Sequence, residues 1–181
     1  MIGVWLAPAT LARGSAVSDN PIKQTLTALV DANVRFVVCG GVACILQGVA
    51  RATHDLDVRV ALEEPDLQRL VRVARALGLR SRIPEPLEAL LDPERRRVWV
   101  TEKHAVVYTL NGPTGAFALD VFLDYPIPFD ELVAAADPID VEGRTVLVSS
   151  KRHLVEAKRA VNPPRKVDLR DIEDLLELLG D

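Results

Sequence analysis

The chain contains few of the residues that cross-link a protein, bind soft metals or anchor it in a membrane. Its 181 residues include two cysteines and one methionine, and only 4% of them are aromatic. Cys39 falls in a predicted strand and Cys44 in a predicted short helix, which supports neither a disulfide framework nor a zinc site. No apolar run approaches the roughly 18 residues that a membrane-spanning helix needs. We therefore expect a reduced, cytoplasmic protein with no membrane partner.

Positive charge is also in short supply. The chain has 22 Lys and Arg residues against 26 Asp and Glu residues, a formal net charge of -4. This balance excludes a protein that coats nucleic acid through its overall charge and leaves only a local basic patch for that purpose. Residues 1–18 lack the basic start of a signal peptide, and Pro8 interrupts their apolar stretch. We therefore interpret residues 1–18 as a tail.

The remaining composition fits a single structural domain. Hydrophobic residues make up 49% of the chain, which is enough for a sizeable core at this length. We expect the core to span residues 19–148 and a C-terminal helical extension, residues 149–181, to pack on it.

Hydrophobic periodicity predicts a mixture of helices and strands. The predicted helices are 19–33, 42–47, 65–77, 151–161 and 167–179, and the predicted strands are 35–39, 54–60, 104–110 and 116–123, with a small hairpin at 138–148. The turn-rich residues 111–115 predict that the two strands around them pair antiparallel. Because segment 81–97 contains three prolines, we expect it to be a variable connection with only a short helix at 87–91.

Carboxylates alternate with apolar residues in two of the predicted strands. Side chains alternate between the faces of a strand, so Asp55 and Asp57 share one face of theirs. In the segment AFALDVFLD, Asp120 and Asp124 lie opposite an apolar face. If the two strands are neighbours, three carboxylates converge, with Asp120 the stronger candidate and Asp124 a residue that ends its strand.

Such a cluster needs a cation, because like charges close together raise one another's pKa. Magnesium prefers oxygen ligands and commonly joins one or two carboxylates to substrate phosphates. Three carboxylates can hold two ions, which together clamp the attacking and leaving oxygens of a phosphoryl displacement. The spacing therefore predicts a two-magnesium site at Asp55, Asp57 and Asp120.

A glycine pair precedes the first two aspartates. Gly40 and Gly41 stand where a strand hands over to a helix, and the lack of Cβ atoms lets backbone N–H groups approach a phosphate there. Arg51 and Thr53 lie on the return toward Asp55, where they could steady a triphosphate or the loop. One segment thus offers both an anion cradle and metal ligands.

Together these residues resemble the DNA polymerase β-like nucleotidyltransferase superfamily. The segment GGVACILQGVARATHDLDV is most similar to the small prokaryotic nucleotidyltransferases of abortive-infection toxin-antitoxin systems, which carry a GG-x-A, R-x-T, D-x-D pattern. Lys158 and the closing RKVDLRDIEDLLEL resemble that family's lysine helix and its D-x-x-D-I helix, here Asp168 and Asp171. Many relatives have serine after the first glycine, whereas this chain has Gly41, so phosphate contact would rest on backbone N–H groups.

The resemblance implies an α/β (α+β) fold, a mixed twisted sheet flanked by helices with a C-terminal helical pair. It implies that Asp55 and Asp57 bind magnesium, and that Asp120 shares an ion and assists activation of the attacking hydroxyl. Gly40 and Gly41 would then seat an NTP such as ATP, and Lys158 would contact its triphosphate.

The implied reaction moves a nucleoside monophosphate from an NTP to a hydroxyl. The acceptor would be the 3′ end of a tRNA or a partner protein in a toxin-antitoxin or phage-defence setting, with a cognate toxin or antitoxin as a further partner. A small-molecule acceptor of the aminoglycoside kind stays open.

Two non-enzymatic interpretations also stay open. The chain could be a catalytically idle module that binds its partner in a toxin-antitoxin pair. It could instead bind RNA through Arg95, Arg96 and Arg97, because arginine neutralises phosphate and the nearby Trp99 could stack on a base. For Asp168 and Asp171, the helix dipole alone explains acids at the start of a helix.

Overall fold

The computed structural model describes residues 20–180, so the predicted tail, residues 1–18, lies outside the described residues. In chain order the first elements are helix α1 (Pro21–Asp31), strand β1 (Phe36–Cys39), helix α2 (Gly40–Leu46), strand β2 (Asp55–Val60), helix α3 (Glu64–Ala76) and strand β3 (Arg80–Ser81). A 3₁₀ helix (Leu87–Leu91), helix α4 (Pro93–Thr101) and strands β4 (Val107–Asn111) and β5 (Ala118–Phe122) follow. Helix α5 (Phe129–Ala134), strands β6 (Asp137–Val141) and β7 (Arg144–Val148), and helices α6 (Lys151–Arg159) and α7 (Lys166–Leu179) complete the described chain.

The strands form one mixed sheet in the order β3-β4-β5-β2-β1-β7-β6. Strand β2 pairs antiparallel with β1 and parallel with β5, and β1 pairs parallel with β7. The two remaining hairpins, β4 with β5 and β6 with β7, are antiparallel, as the sequence predicts. The predicted mixed sheet flanked by helices and the closing helical pair are therefore confirmed.

The main core lies on one face of the central strands, and a smaller cluster of Val37, Ile127 and Leu132 lies on the other. Leu56, Val58 and Val60 of β2 are fully buried, whereas Asp57 and Arg59 between them are only partly buried. Helix α3 covers this region with an apolar stripe that includes Leu67 and Leu70. The same alternation that builds the core thus leaves the polar face of β2 free for a site.

Both cysteines lie in the predicted elements, in β1 and α2, and both are free and buried. Burial raises the pKa of Cys39 to about 12 and that of Cys44 to about 11, so neither thiol ionises near neutral pH. Within residues 20–180, every helix is too short or too polar to cross a membrane.

The prediction for segment 81–97 is wrong in one respect. Pro93 does not stop helix formation but begins α4, where its missing N–H group costs nothing. The side chain of Asp92 caps this helix by accepting from the backbone N–H groups of Glu94 and Arg95. The structure also contains β3 and α5, two short elements that periodicity does not predict.

The predicted boundaries shift where the backbone turns. Strand β4 begins at Val107 rather than at residue 104, because His104 has a positive φ of 52°. Helix α2 begins at Gly40 rather than at residue 42, so the glycine pair forms its first turn. At the tip of the β6–β7 hairpin, Glu142 and Gly143 both have positive φ, as a tight hairpin turn requires.

A buried carboxylate, Asp66, joins α3 to the start of β1. It is 1% exposed and accepts hydrogen bonds from the backbone N–H of Arg35 at 3.0 Å and from Arg35 Nη2 at 2.7 Å. Burial alone would raise the pKa of Asp66, but the hydrogen bonds from Arg35 outweigh burial and hold the pKa below its usual value.

We expect Asp66→Ala to lower the free energy of unfolding by about 1–3 kcal/mol at pH 7, because the backbone and side chain of Arg35 lose hydrogen bonds to a charged acceptor. Since the folded state depresses this pKa, the stabilisation is present above pH 4 and is lost as pH falls through the folded pKa. Urea unfolding of both proteins at several pH values measures the difference, which should shrink in acid.

The matched control is Glu173→Ala on the exposed face of α7. It should change stability by no more than about 0.5 kcal/mol. An Asp66→Ala deficit as small as that of the control would contradict the assigned role.

Candidate active site

The carboxylates of β2 and β5 meet because the two strands pair in parallel. Asp57 lies directly opposite Asp120 in the register, and Asp55 lies opposite Ala118. Since Asp55 precedes Asp57 by two residues, both point to the polar face of the sheet. All three aspartates line a cleft of about 620 Å³ on that face.

The glycine pair lies directly against Asp57. Strand β1 pairs antiparallel with β2, and Cys39 at its end lies opposite Asp57, so the chain enters α2 beside this carboxylate. Gly40 has a φ of +57°, and a Cβ atom there would lie 2.1 Å from Asp57 Oδ2. The backbone N–H of Gly41 donates to the same oxygen at 3.4 Å. No residue other than glycine fits at position 40 while Asp57 keeps this position.

The negative charges of Asp57 and Asp120 are poorly compensated. Burial raises the pKa of Asp57 to about 6, and the negative charge of Asp120 adds to that rise. Asp120 Oδ1 is buried and has no hydrogen-bond partner among the described residues. A cation would satisfy the orphaned oxygen and favour the ionised form of Asp57.

The donor set suits a hard divalent ion. The three aspartates offer only oxygen atoms, as magnesium prefers. Among residues 20–180, no three His, Cys, Asp or Glu side chains are arranged to hold a metal ion as they stand. Magnesium usually takes one or two carboxylates and completes its shell with water and substrate phosphates, so side-chain rotation and a bound nucleotide would supply the rest.

Basic residues also line the cleft, in a network that we call the ionic cluster: Arg51, Lys158, Arg165, Asp168 and Asp171. Lys158 Nζ lies 3.1 Å from Asp168 Oδ1 and 2.6 Å from Asp171 Oδ2. Arg51 pairs with Asp171, and Arg165 Nε lies 2.5 Å from Asp168 Oδ2. Three cations thus share two carboxylates, which leaves the ionic cluster with a formal excess of one positive charge.

Three members of this cluster are buried. Asp168 and Asp171 are each 1% exposed, and Lys158 is 7% exposed. Burial disfavours the charged form of Lys158, but the hydrogen bonds to Asp171 and Asp168 and the nearby negative charge together outweigh burial and raise the lysine pKa. The helix dipole is therefore not the main reason for acids at the start of α7, because both form ion pairs with the cleft cations.

The structure brings all eight predicted site residues to this one cleft. They are Gly40, Gly41, Arg51, Thr53, Asp55, Asp57, Asp120 and Lys158. Arg165, which no sequence motif singles out, also lines the cleft, and its spacing of three residues from Asp168 matches one helical turn. Asp124, expected only to end its strand, lines the cleft as well.

The alternative RNA-binding patch is not available in the predicted form. Trp99 is 3% exposed and stacks on Tyr108 with ring centroids 5.1 Å apart, so it cannot stack on a base. Arg95 pairs with Glu85, and Arg97 pairs with Glu94. Arg96 donates to the carbonyl oxygen of Leu90 at 2.6 Å. The three arginines therefore form intramolecular contacts within α4 and with the segment that precedes it.

Comparisons with known proteins give a likeness in fold. No protein-family model and no curated protein sequence matches this chain significantly. Among solved structures, the lincosamide antibiotic adenylyltransferase LnuA has a TM-score of 0.60 at 13% identity, over 91% of this chain and 99% of that one. The antibiotic-resistance factor ANT(2″)-Ia has a TM-score of 0.55 at 16% identity, over 90% and 86%.

A third similar structure is an antigenic nucleotidyltransferase-like protein from Paracoccidioides brasiliensis. Its TM-score is 0.52 at 19% identity, over 90% of this chain and 78% of that one. At such identities the likeness concerns architecture. This chain therefore has the fold of the nucleotidyltransferases, as the resemblance of its motifs predicts.

The raised pKa of Asp57 predicts how stability depends on pH. Since the folded state raises this pKa from 3.8 to about 6, the native protein gains stability from protonated Asp57 in acid and loses it as pH rises through about 6. In EDTA at pH 8 we expect Asp57→Asn to be more stable than the native protein by about 1–3 kcal/mol, because asparagine carries no charge. The gap should close toward pH 4.

Urea unfolding across this pH range measures the gap. Asp55→Asn is the matched control, because Asp55 is exposed, and it should stay within about 0.5 kcal/mol of the native protein. If the stability difference between Asp57→Asn and the native protein does not change with pH, ionised Asp57 does not destabilise the folded state.

Proposed function

We propose that this protein is a magnesium-dependent nucleotidyltransferase that moves a nucleoside monophosphate from an NTP to a hydroxyl group. The observation that carries the proposal is the contact between Asp57, Asp120 and the Gly40–Gly41 turn in one cleft. The register alone places two carboxylates side by side, and the turn brings backbone N–H groups to the same point.

Each group has a role in this reaction. Asp55, Asp57 and Asp120 would hold magnesium, which when bound neutralises phosphate charge and polarises the phosphoryl group. Gly40 and Gly41 would seat the outgoing phosphates, and Arg51 and Thr53 beside Gly41, together with Lys158, would hold the triphosphate. Asp120 would orient the acceptor hydroxyl and accept its proton.

The reaction is a single displacement at the α-phosphorus, in which one oxygen–phosphorus bond forms and another breaks. The hydroxyl oxygen attacks the α-phosphorus, and a new oxygen–phosphorus bond forms as its proton passes to Asp120. The bond from the α-phosphorus to the bridging oxygen of the β-phosphate breaks, and pyrophosphate leaves with the electron pair. Because the attacking and leaving oxygens lie roughly in line, they must lie on opposite sides of the α-phosphorus.

The motif resemblance supports an RNA acceptor, such as the 3′ end of a tRNA, or a protein acceptor in a toxin-antitoxin or phage-defence setting. A second candidate is a small-molecule acceptor. The similarity in fold to LnuA, a lincosamide antibiotic adenylyltransferase, and to ANT(2″)-Ia, which has been seen in complex with adenylyl-2″-tobramycin, favours it. The two buried free cysteines fit a reducing, cytoplasmic setting for either acceptor.

The decisive experiment removes one metal ligand. We expect Asp57→Asn to lower the rate of nucleotide transfer by at least about a hundredfold, because it removes a principal electrostatic group from the reacting phosphate. The measurement is incubation with each labelled NTP, magnesium, total tRNA and a lysate, followed by separation of the labelled species. Near-native incorporation by the variant would contradict the proposed role.

Asp130→Asn is the matched control, since Asp130 is exposed on α5 and lies away from the cleft. It should transfer nucleotide at the native rate.

Nucleotide binding separates the enzyme from an idle binding module. Magnesium with an NTP at a hundred times its dissociation constant should stabilise the native protein by about 2.7 kcal/mol. Thermal unfolding with each of the four NTPs measures this effect, and Asp57→Asn should show less of it. An absence of any shift at millimolar NTP would favour the idle module of a toxin-antitoxin pair.

A further inference from the structure

The two ends of the cleft differ in what they can bind. Strand β1 ends opposite Asp57, and the glycine turn lies just beyond that end, on the side of Asp55. Asp124 lies beyond the other end of β5, four residues past Asp120. Asp120 therefore stands between the glycine turn and Asp124 along the strand direction.

This order decides where the acceptor enters. If the glycine turn holds the outgoing phosphates, an in-line displacement requires the attacking hydroxyl to approach from the opposite side of the α-phosphorus. That side of the cleft is the end that carries Asp124. We call this end the acceptor end, defined by Val106, Phe122, Asp124 and Tyr125.

The acceptor end is apolar apart from one carboxylate. Val106 is 46% exposed, a high value for a large aliphatic side chain. Phe122 shares the strand face of Asp120, and its ring packs edge-on to Tyr125 with centroids 4.8 Å apart. Across the cleft, Val167 at the start of α7 is also 41% exposed. An acceptor would therefore bury an apolar or ring-shaped body between these side chains.

Asp124 is exposed and has no ion pair with a basic side chain in the described part of the chain. The charge of Asp124 favours the charged form of Arg59, with no ion pair between the two side chains. Arg59 Nη1 donates to the carbonyl oxygens of Phe122 at 2.8 Å and Leu123 at 3.2 Å, and Arg59 does not line the cleft. The Asp124 carboxylate is thus free to receive a cationic group of a ligand.

The basic residues of the cleft are already paired with carboxylates. Arg51, Lys158 and Arg165 are the basic residues that line it within the described chain, and all three belong to the ionic cluster. A polyanion at the acceptor end would meet the negative charge of Asp124, and the cations of the cleft are already engaged by Asp168 and Asp171. Since phosphate contacts by Lys and Arg supply most of the affinity for RNA, the acceptor end is poorly suited to a tRNA.

We infer that the acceptor is a small organic cation with a hydroxyl group, bound with its ammonium group at Asp124 and its body against Phe122 and Val106. This inference rests on the proposed function and specifies its substrate class. The ammonium group does not react. The hydroxyl oxygen forms the new bond to the α-phosphorus, its proton passes to Asp120, and pyrophosphate leaves as the oxygen–phosphorus bond breaks.

A matched pair of acceptors tests the charge requirement without any mutation. Tobramycin and lincomycin are hydroxyl-bearing amines, and fully N-acetylated tobramycin keeps its hydroxyl groups but loses its positive charge. With labelled NTP and magnesium we expect transfer to at least one of the two amines, and a KM at least about tenfold higher for the acetylated form of tobramycin than for tobramycin if tobramycin is the acceptor. Total tRNA should stay unlabelled.

Asp124→Asn tests the residue. For the amine acceptor we expect KM to rise about five- to tenfold with kcat within about twofold of native, because a charge-assisted contact to the bound acceptor is lost. The KM for the NTP and the thermal shift with magnesium and NTP should not change. Asp130→Asn, outside the cleft, should leave all of these values at their native level.

The outcomes distinguish this inference from the function on which it rests. Labelled tRNA, equal use of tobramycin and its acetylated form, or an unchanged KM in Asp124→Asn would overturn the inference and leave the nucleotidyltransferase intact. Bound magnesium and NTP with no transfer to either amine would also count against it. No stabilisation by any NTP and no labelled product of any kind would overturn the proposed function itself.

Discussion

The parallel pairing of β2 with β5 places Asp57 directly beside Asp120, two carboxylates that belong to distant parts of the chain. Neither strand can slip by one residue, because a slip would turn its fully buried residues, such as Leu56 and Leu119, toward the cleft. The core therefore fixes the position of the acids. Burial of apolar side chains on one face of the sheet holds two like charges together on the other face.

The ionic cluster provides the complementary charge. Arg51 follows α2, whereas its partner Asp171 belongs to α7, so the ion pair ties the C-terminal helical pair to the glycine-bearing segment. Asp171 also pairs with Lys158 of α6, and this single buried carboxylate therefore orients cations from two segments. Loss of Asp171 would leave the largely buried Arg51 without its ion-pair partner, whereas the buried Lys158 would keep Asp168.

The sequence predicts local features of this site better than distant contacts. The alternation around Asp55 and Asp57, and the glycine pair at the end of an apolar strand, follow from the period of a strand and the backbone freedom of glycine. The pairing of β2 with β5 does not, because no local pattern specifies which strands become neighbours. The ion pairs of Arg51 and Arg165 are equally hidden, since each depends on how α7 packs against the rest of the chain.

Errors in the predicted elements have a similar origin. Pro93 was expected to restrict helix formation, yet a proline in the first turn is compatible with a helix when a residue such as Asp92 caps it. Trp99 beside three arginines suggests a nucleic-acid surface, but the indole ring is apolar enough to be buried against Tyr108. In both cases the local sequence is compatible with two structures, and the tertiary packing determines which one forms.

The charge of Asp57 bears on whether the fold works as an enzyme or only as a binding module. Ion pairs in a structural network lower the pKa of a carboxylate, as Arg35 does for Asp66, whereas burial and Asp120 raise the pKa of Asp57. In the protein without a bound cation, ionised Asp57 is thus a cost to stability near neutral pH, which a module that only needs to fold would avoid with asparagine. A bound cation reverses this effect, because it favours the ionised form and occupies the buried, unpartnered oxygen of Asp120. The unfavourable charge therefore fits the proposed metal site better than a purely structural role.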